Sequence, residues 1–160
     1  MFISFFSLNF IGNIGNYLLN PKEKISTNIG KLWVNKYDYN LFKKTNEFIE
    51  KNIKDDENFV ILPEGQIFNL INRKEHPYYN STFTPLDFET FGEKNLTKEL
   101  MQNKPEYIIF FPRNTMDYGK PQICYDYAVN FCKIISENYI KTESFGDNIK
   151  VTVYKIKKKN

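Results

Sequence analysis

Apolar positions along this 160-residue chain change their period from segment to segment, and the changes mark its elements. Leu41, Phe42, Thr45, Phe48, Ile49 and Ile53 recur at helical spacing, which predicts an amphipathic helix over residues 38–54 with Asp38 as its cap. Phe59 to Leu62 is a short apolar run between the Asp55-Asp56-Glu57-Asn58 cluster and a Pro63-Glu64-Gly65 break, so it predicts a strand. Helical spacing resumes over residues 66–72, and an extended polar and aromatic stretch runs from His76 to Phe83. Thr84-Pro85 opens a short helix ending near Phe91-Gly92, because proline suits the first helical position. A further helix over 93–103 stops before Pro105. Tyr107 to Phe111 is a continuous apolar run, the signature of a central strand buried on both faces. Pro121 then predicts a long helix through Ile123, Tyr127, Phe131, Ile134 and Ile135 to Asn138. The C-terminus reads as a hairpin, 139–145 and 149–156, turning at Gly146-Asp147-Asn148, and Gly30–Asn35 reads as a short strand.

With right-handed crossovers, this order sets the 59–62 and 107–111 strands side by side and parallel. The expected fold is a small Rossmann-like three-layer α/β sandwich, its sheet mostly parallel with a C-terminal antiparallel hairpin at the edge. One domain over residues 21–160 is long enough for a sizeable core. The first twenty residues differ. Met1 to Leu19 carries no charge, and Phe2, Phe5, Phe6, Phe10, Ile11 and Leu18 make it apolar, but Gly12, Gly15 and several asparagines interrupt it. It is a poor complete membrane span and lacks the basic region and cleavage site of a secretory signal. Two readings stay open on composition: an amphipathic or partly buried helix, or the end of a membrane helix.

Composition adds less. Twenty lysines stand against two arginines, with 20 Asn, 18 Ile and one Ala, a bias that matches an AT-rich coding sequence. Arg73 and Arg113 are therefore more informative than any lysine. The net charge of +3 is interspersed rather than gathered into a basic stripe, so nucleic acid is not an expected partner. Cys124 and Cys132 fall on the predicted long helix, about 12 Å apart along its axis, which forbids their pairing. With His76 the single histidine, a Cys/His zinc site is not expected, and neither metal nor cofactor is assigned. Dinucleotide, P-loop and Gly-x-Ser-x-Gly motifs are absent. His76 precedes a proline in a loop, where a solvated role is simpler than that of a general base. The sequons at Asn80-Ser81-Thr82 and Asn95-Leu96-Thr97 are unsurprising in so Asn-rich a chain.

The coherent polar group lies at the strand ends, where ligands of α/β folds usually sit. Glu64 follows the first parallel strand and Arg113 the second, with Asp117 beyond it; Arg73 closes the helix after Glu64, and Asp87 and Glu93 flank the short helix. Glu64, Arg73 and Arg113 are the candidate substrate-binding residues, fit to hold a sugar hydroxyl or a phosphate; no catalytic residue is assigned. The structural alternative has Glu64 capping the following helix and pairing with Arg73.

Leu62-Pro63-Glu64-Gly65, Asn69, Arg73, Pro77-Tyr78-Tyr79 and Phe83-x-Pro85 resemble the C-terminal soluble domain of bacterial multi-spanning glycosyltransferases, the protein-O-mannosyltransferase-like enzymes of the GT-C superfamily. The similarity continues through Gly92-Glu93, Asn103-x-Pro105-Glu106-Tyr107, Asp126-Tyr127, Asn138-Tyr139 and Phe145-Gly146, covering about residues 30–156. Glu106 stands where the pattern has aspartate, and the Tyr118-Gly119 loop is short. In that family a membrane bundle holds the catalytic acid and the polyprenyl-phosphate sugar, while the C-terminal domain stands outside and helps shape the acceptor entrance. The resemblance implies an accessory domain at the cell membrane, on its extracytoplasmic side, inactive as a transferase alone. It also implies a fragment or one half of a split protein, with residues 1–20 as the remnant of the last membrane helix. Expected partners are the membrane and a polyprenyl-phosphate sugar or glycan acceptor. The alternatives are a free-standing glycan- or phospholipid-binding module, or a small α/β enzyme.

Overall fold

The computed structural model describes residues 22–79 and 82–158. The chain divides into two compact units, Met1–Lys43 and Lys44–Asn160. The membrane remnant expected over residues 1–20, and Asn80-Ser81 of the first sequon, lie outside the described residues. In the first unit Lys22–Thr27 (β1) and Gly30–Asn35 (β2) pair as an antiparallel hairpin. Gly30 takes a φ of 129°, open to glycine alone without strain, and its carbonyl accepts a 2.8 Å bond from the Thr27 hydroxyl. The helix α1 spans Lys36–Asn52, so Asp38 lies in its first turn rather than before it.

The second unit is built on one four-stranded sheet. Its strands are Phe59–Leu62 (β3), Tyr107–Phe110 (β4), Tyr139–Phe145 (β5) and Val151–Ile156 (β6), in the order β3-β4-β6-β5. β3 and β4 are parallel neighbours in register, Leu62 beside Phe110. The other two pairings, β4 with β6 and β6 with β5, are antiparallel. The expected mostly parallel Rossmann-like sandwich is therefore overturned: the sheet is mostly antiparallel, and the C-terminal hairpin is half of it rather than an edge ornament. The reason lies after β4. The helix Val129–Asn138 leads into β5, which runs in the same direction as β4 but does not lie beside it. The hairpin returns β6 between the two, so both further pairings are antiparallel.

The remaining helices are Gln66–Ile71 (α2), Pro85–Phe91 (α3), Glu93–Asn103 (α4) and Val129–Asn138 (α5). Val60, Leu62 and Ile108 on one sheet face join Phe83, Phe88, Leu96, Leu100, Phe131 and Ile135 in a buried core. On the other face Phe48 stacks edge-on to Tyr107 at 6.3 Å and tilted to Phe145 at 5.9 Å.

The predicted helix from Pro121 begins eight residues late. Cys124 and Ala128 adopt left-handed φ of 72° and 59°, which an L-residue helix does not accommodate. Residues 121–128 instead form a compact loop in which the Cys124 amide donates to the Tyr127 carbonyl at 2.8 Å. The loop folds Cys124 back over the first turns of α5, leaving its Cα 5.5 Å from that of Cys132, and the two form a disulfide. The expectation that these cysteines cannot pair fails because it assumed a continuous helix between them.

Two tyrosines carry a pH signature. The Tyr78 and Tyr139 hydroxyls are buried with no hydrogen-bond partner among the described residues. Burial foremost, then the neighbouring phenol and Glu99, raises the Tyr78 pKa; burial and then Glu106 raise that of Tyr139. The folded chain therefore keeps protons that the unfolded chain begins to lose near pH 10. The contribution of these two phenols to stability is expected to be level below that pH and to fall above it, by up to about 1.4 kcal/mol per pH unit for each. Urea midpoints between pH 8 and 11 measure this. Tyr139→Phe should leave the pH 7 midpoint unchanged or higher and flatten the alkaline slope.

Candidate functional site

The candidate site grows from the parallel pairing of β3 and β4. The Phe111 amide donates to the Leu62 carbonyl at 2.9 Å and the Phe83 amide to the Pro63 carbonyl at 2.8 Å, which ties three segments together at one corner. Leu62-Pro63 is a cis peptide. Gly65 follows because nothing larger fits: a β-carbon there would lie 2.4 Å from Ile61 Cγ2, inside a buried side chain.

From this corner Glu64 and Arg113 meet. Arg113 Nε donates to Glu64 Oε2 at 2.9 Å, and its Nη2 donates to Asp117 Oδ2 at 2.6 Å. Its Nη1 donates to the Asn114 carbonyl, and the Tyr118 hydroxyl donates to Glu64 Oε1 at 3.3 Å. The hydrogen bond to Glu64 foremost, opposed by burial and helped by Asp117, holds the Arg113 pKa above its usual range. The Glu64 charge likewise raises the Tyr118 phenol. Beneath the loop, the buried Thr115 hydroxyl donates to the Lys120 carbonyl at 2.6 Å and lies 3.5 Å from the Tyr127 hydroxyl. With two carboxylates on one guanidinium, the corner is a braced ledge that carries an excess of negative charge. It offers hydroxyl and carboxylate groups for hydrogen bonding and little free positive charge for a phosphate.

Arg73 does not join it. Arg73 is exposed, sits at a φ of 53° just after α2, and makes no ion pair with Glu64 among the described residues. Glu64 does not cap α2 either; Gly65 occupies the cap position, with no side-chain bond. Asn69 is buried, its amide donating to the Phe59 carbonyl at 3.2 Å, and so fastens α2 to the sheet. Asp87 Oδ2 accepts from the Thr82 hydroxyl at 2.8 Å and from the Thr84 amide at 2.7 Å, closing the start of α3. Glu93 reaches the N-terminus of α5, accepting from the Phe131 amide at 2.8 Å. Glu106 and Asn58 exchange two bonds, 2.9 and 3.2 Å, that clamp the start of β4 to the start of β3. His76 Nδ1 lies 3.1 Å from the Tyr78 carbonyl. Asp117, which the sequence placed beyond Arg113, pairs with it four positions on, whereas Tyr118 is a site residue the sequence did not single out, because its contact with Glu64 spans 54 positions and leaves no local pattern.

Among the described residues, no cluster of three His, Cys, Asp or Glu could hold a metal ion, and no helix is long and apolar enough to cross a membrane. Glu64→Gln is expected to cost about 0.5–1 kcal/mol, since the pair is partly exposed, and the loss should shrink in high salt. A double-mutant cycle with Arg113→Ala should return coupling of that size, and one with Arg73→Ala none.

Comparison with protein-family models, with curated proteins and with solved structures finds no match.

Proposed function

We propose that this chain is an accessory soluble domain of a membrane glycosyltransferase that takes sugar from a polyprenyl-phosphate donor. It stands on the extracytoplasmic side, beside the acceptor path, and does not catalyse transfer alone. One observation carries this reading. Four residues of the family-like pattern, Pro63, Glu64, Phe83 and Tyr127, meet at one braced corner that Arg113, Asp117 and Thr115 complete: Glu64 and Asp117 on Arg113, Pro63 on Phe83, Tyr127 beside Thr115. That is the build of a loop platform rather than of a reacting centre, where a base or nucleophile would be held with its proton poised. The Cys124–Cys132 disulfide supports the outer side of the membrane, because disulfides persist in oxidising compartments.

The test is cross-linking from the corner in the native organism. A photoreactive amino acid at Met116, exposed beside Asp117, is expected to capture a multi-spanning membrane protein that consumes a polyprenyl-phosphate sugar. Capture confined to soluble proteins would overturn the proposal, as would sugar transfer by the purified full chain alone.

A further inference from the structure

Beside the ledge lies an open groove of about 310 Å³ between the end of β4, the loop before α5 and the start of β6. Phe110 and Tyr154 form one wall, their rings edge to face at 5.6 Å. Tyr125, 75% exposed, stands at the opposite rim. Gln122 and Thr152 add neutral hydrogen-bonding groups, and Lys150 is the one charged residue among the described lining residues. Lys150 is exposed and makes no ion pair among the described residues, so its charge is available, unlike that of Arg113.

We propose that this groove binds an anionic saccharide, with a sugar ring laid against Tyr125 and its acidic substituent on Lys150. Exposed aromatic faces with flanking neutral polar groups suit the mixed apolar and hydroxyl surface of a pyranose. A lone lysine with no lining carboxylate selects for an acid over a neutral sugar. The Tyr125 rim is fixed in advance. The disulfide anchors it to α5, the Gln122 amide donates to Asp126 Oδ2 at 3.0 Å, and the Cys124 amide donates to the Tyr127 carbonyl at 2.8 Å. Such a rim loses little freedom on binding. The choice of a saccharide rests on the glycosyl-transfer reading above.

The experiment titrates the full ¹⁵N-labelled chain with a glucuronic-acid disaccharide, with its neutral glucose counterpart and with inorganic phosphate. Chemical-shift changes at Tyr125, Lys150 and Thr152 are expected with the acidic sugar, at an affinity above that of the neutral one. Tyr125→Ala should weaken binding about tenfold. Lys150→Gln should weaken the acidic sugar about fivefold and bring the two sugars level. Both positions are exposed, so the variants keep the fold intact. No shift at these residues, equal binding of both sugars by the unaltered chain, or phosphate binding as well as the acidic sugar would overturn the proposal. Cross-linking from position 116 does not depend on the groove, so either proposal can fail while the other stands.

Discussion

Phe131→Ala is expected to lower the unfolding free energy by about 3–5 kcal/mol, read from urea denaturation of the full chain. Phe131 is fully buried at the first turn of α5. Its ring lies 5.4 Å from that of Phe83 and 5.3 Å from that of Phe88, the second contact nearly perpendicular at 80°. Truncation removes both ring contacts and leaves a cavity walled by aromatic side chains that cannot collapse into it. The contrast is Val129→Ala two residues earlier, 54% exposed, which should shift stability by less than about 0.5 kcal/mol. Equal effects from the two would mean that α5 does not present this face to the sheet.

The second large effect belongs to the disulfide. Replacing both Cys124 and Cys132 by serine is expected to cost about 2–3 kcal/mol, the loop-closure entropy for a separation of eight residues. Reductant should lower the stability of the natural chain by the same amount and leave the double variant unaffected. A reductant-insensitive natural chain would mean that the bond does not form. Because the bond holds the loop behind Tyr125, the same variant should also loosen the groove rim without touching the Glu64–Arg113 corner.

The local elements were largely legible because each has a nearby cause. The apolar run at 59–62, Pro85 at the head of α3, and Pro105 after α4 all act within a turn or two, and β3, α3 and α4 stand where they were expected. The parallel pairing of β3 and β4 also followed, since a single crossover fixes it. Three features did not follow. β1 reads Lys22-Glu23-Lys24-Ile25-Ser26-Thr27, too polar to announce a strand, and it is defined by its partner β2. The loop before α5 keeps a helix-like apolar spacing, yet Cys124 and Ala128 turn left-handed under the pull of contacts the spacing does not encode. Sheet order after β4 depends on where a hairpin docks, and the alternation within 151–156 looks the same at an edge as beside β4. Within the site, Glu64, Arg113 and Asp117 were legible from the parallel strand ends, whereas Tyr118 and Thr115 needed the fold itself.

The proposed accessory role requires the domain to face the extracytoplasmic side of a membrane. Spheroplasts of the native organism, treated with a membrane-impermeant amine reagent, should show label on the exposed Lys141 and Lys150 before any permeabilisation, identified by mass spectrometry of the recovered chain. Label that appears on these lysines only after the membrane is permeabilised would contradict an extracytoplasmic accessory domain.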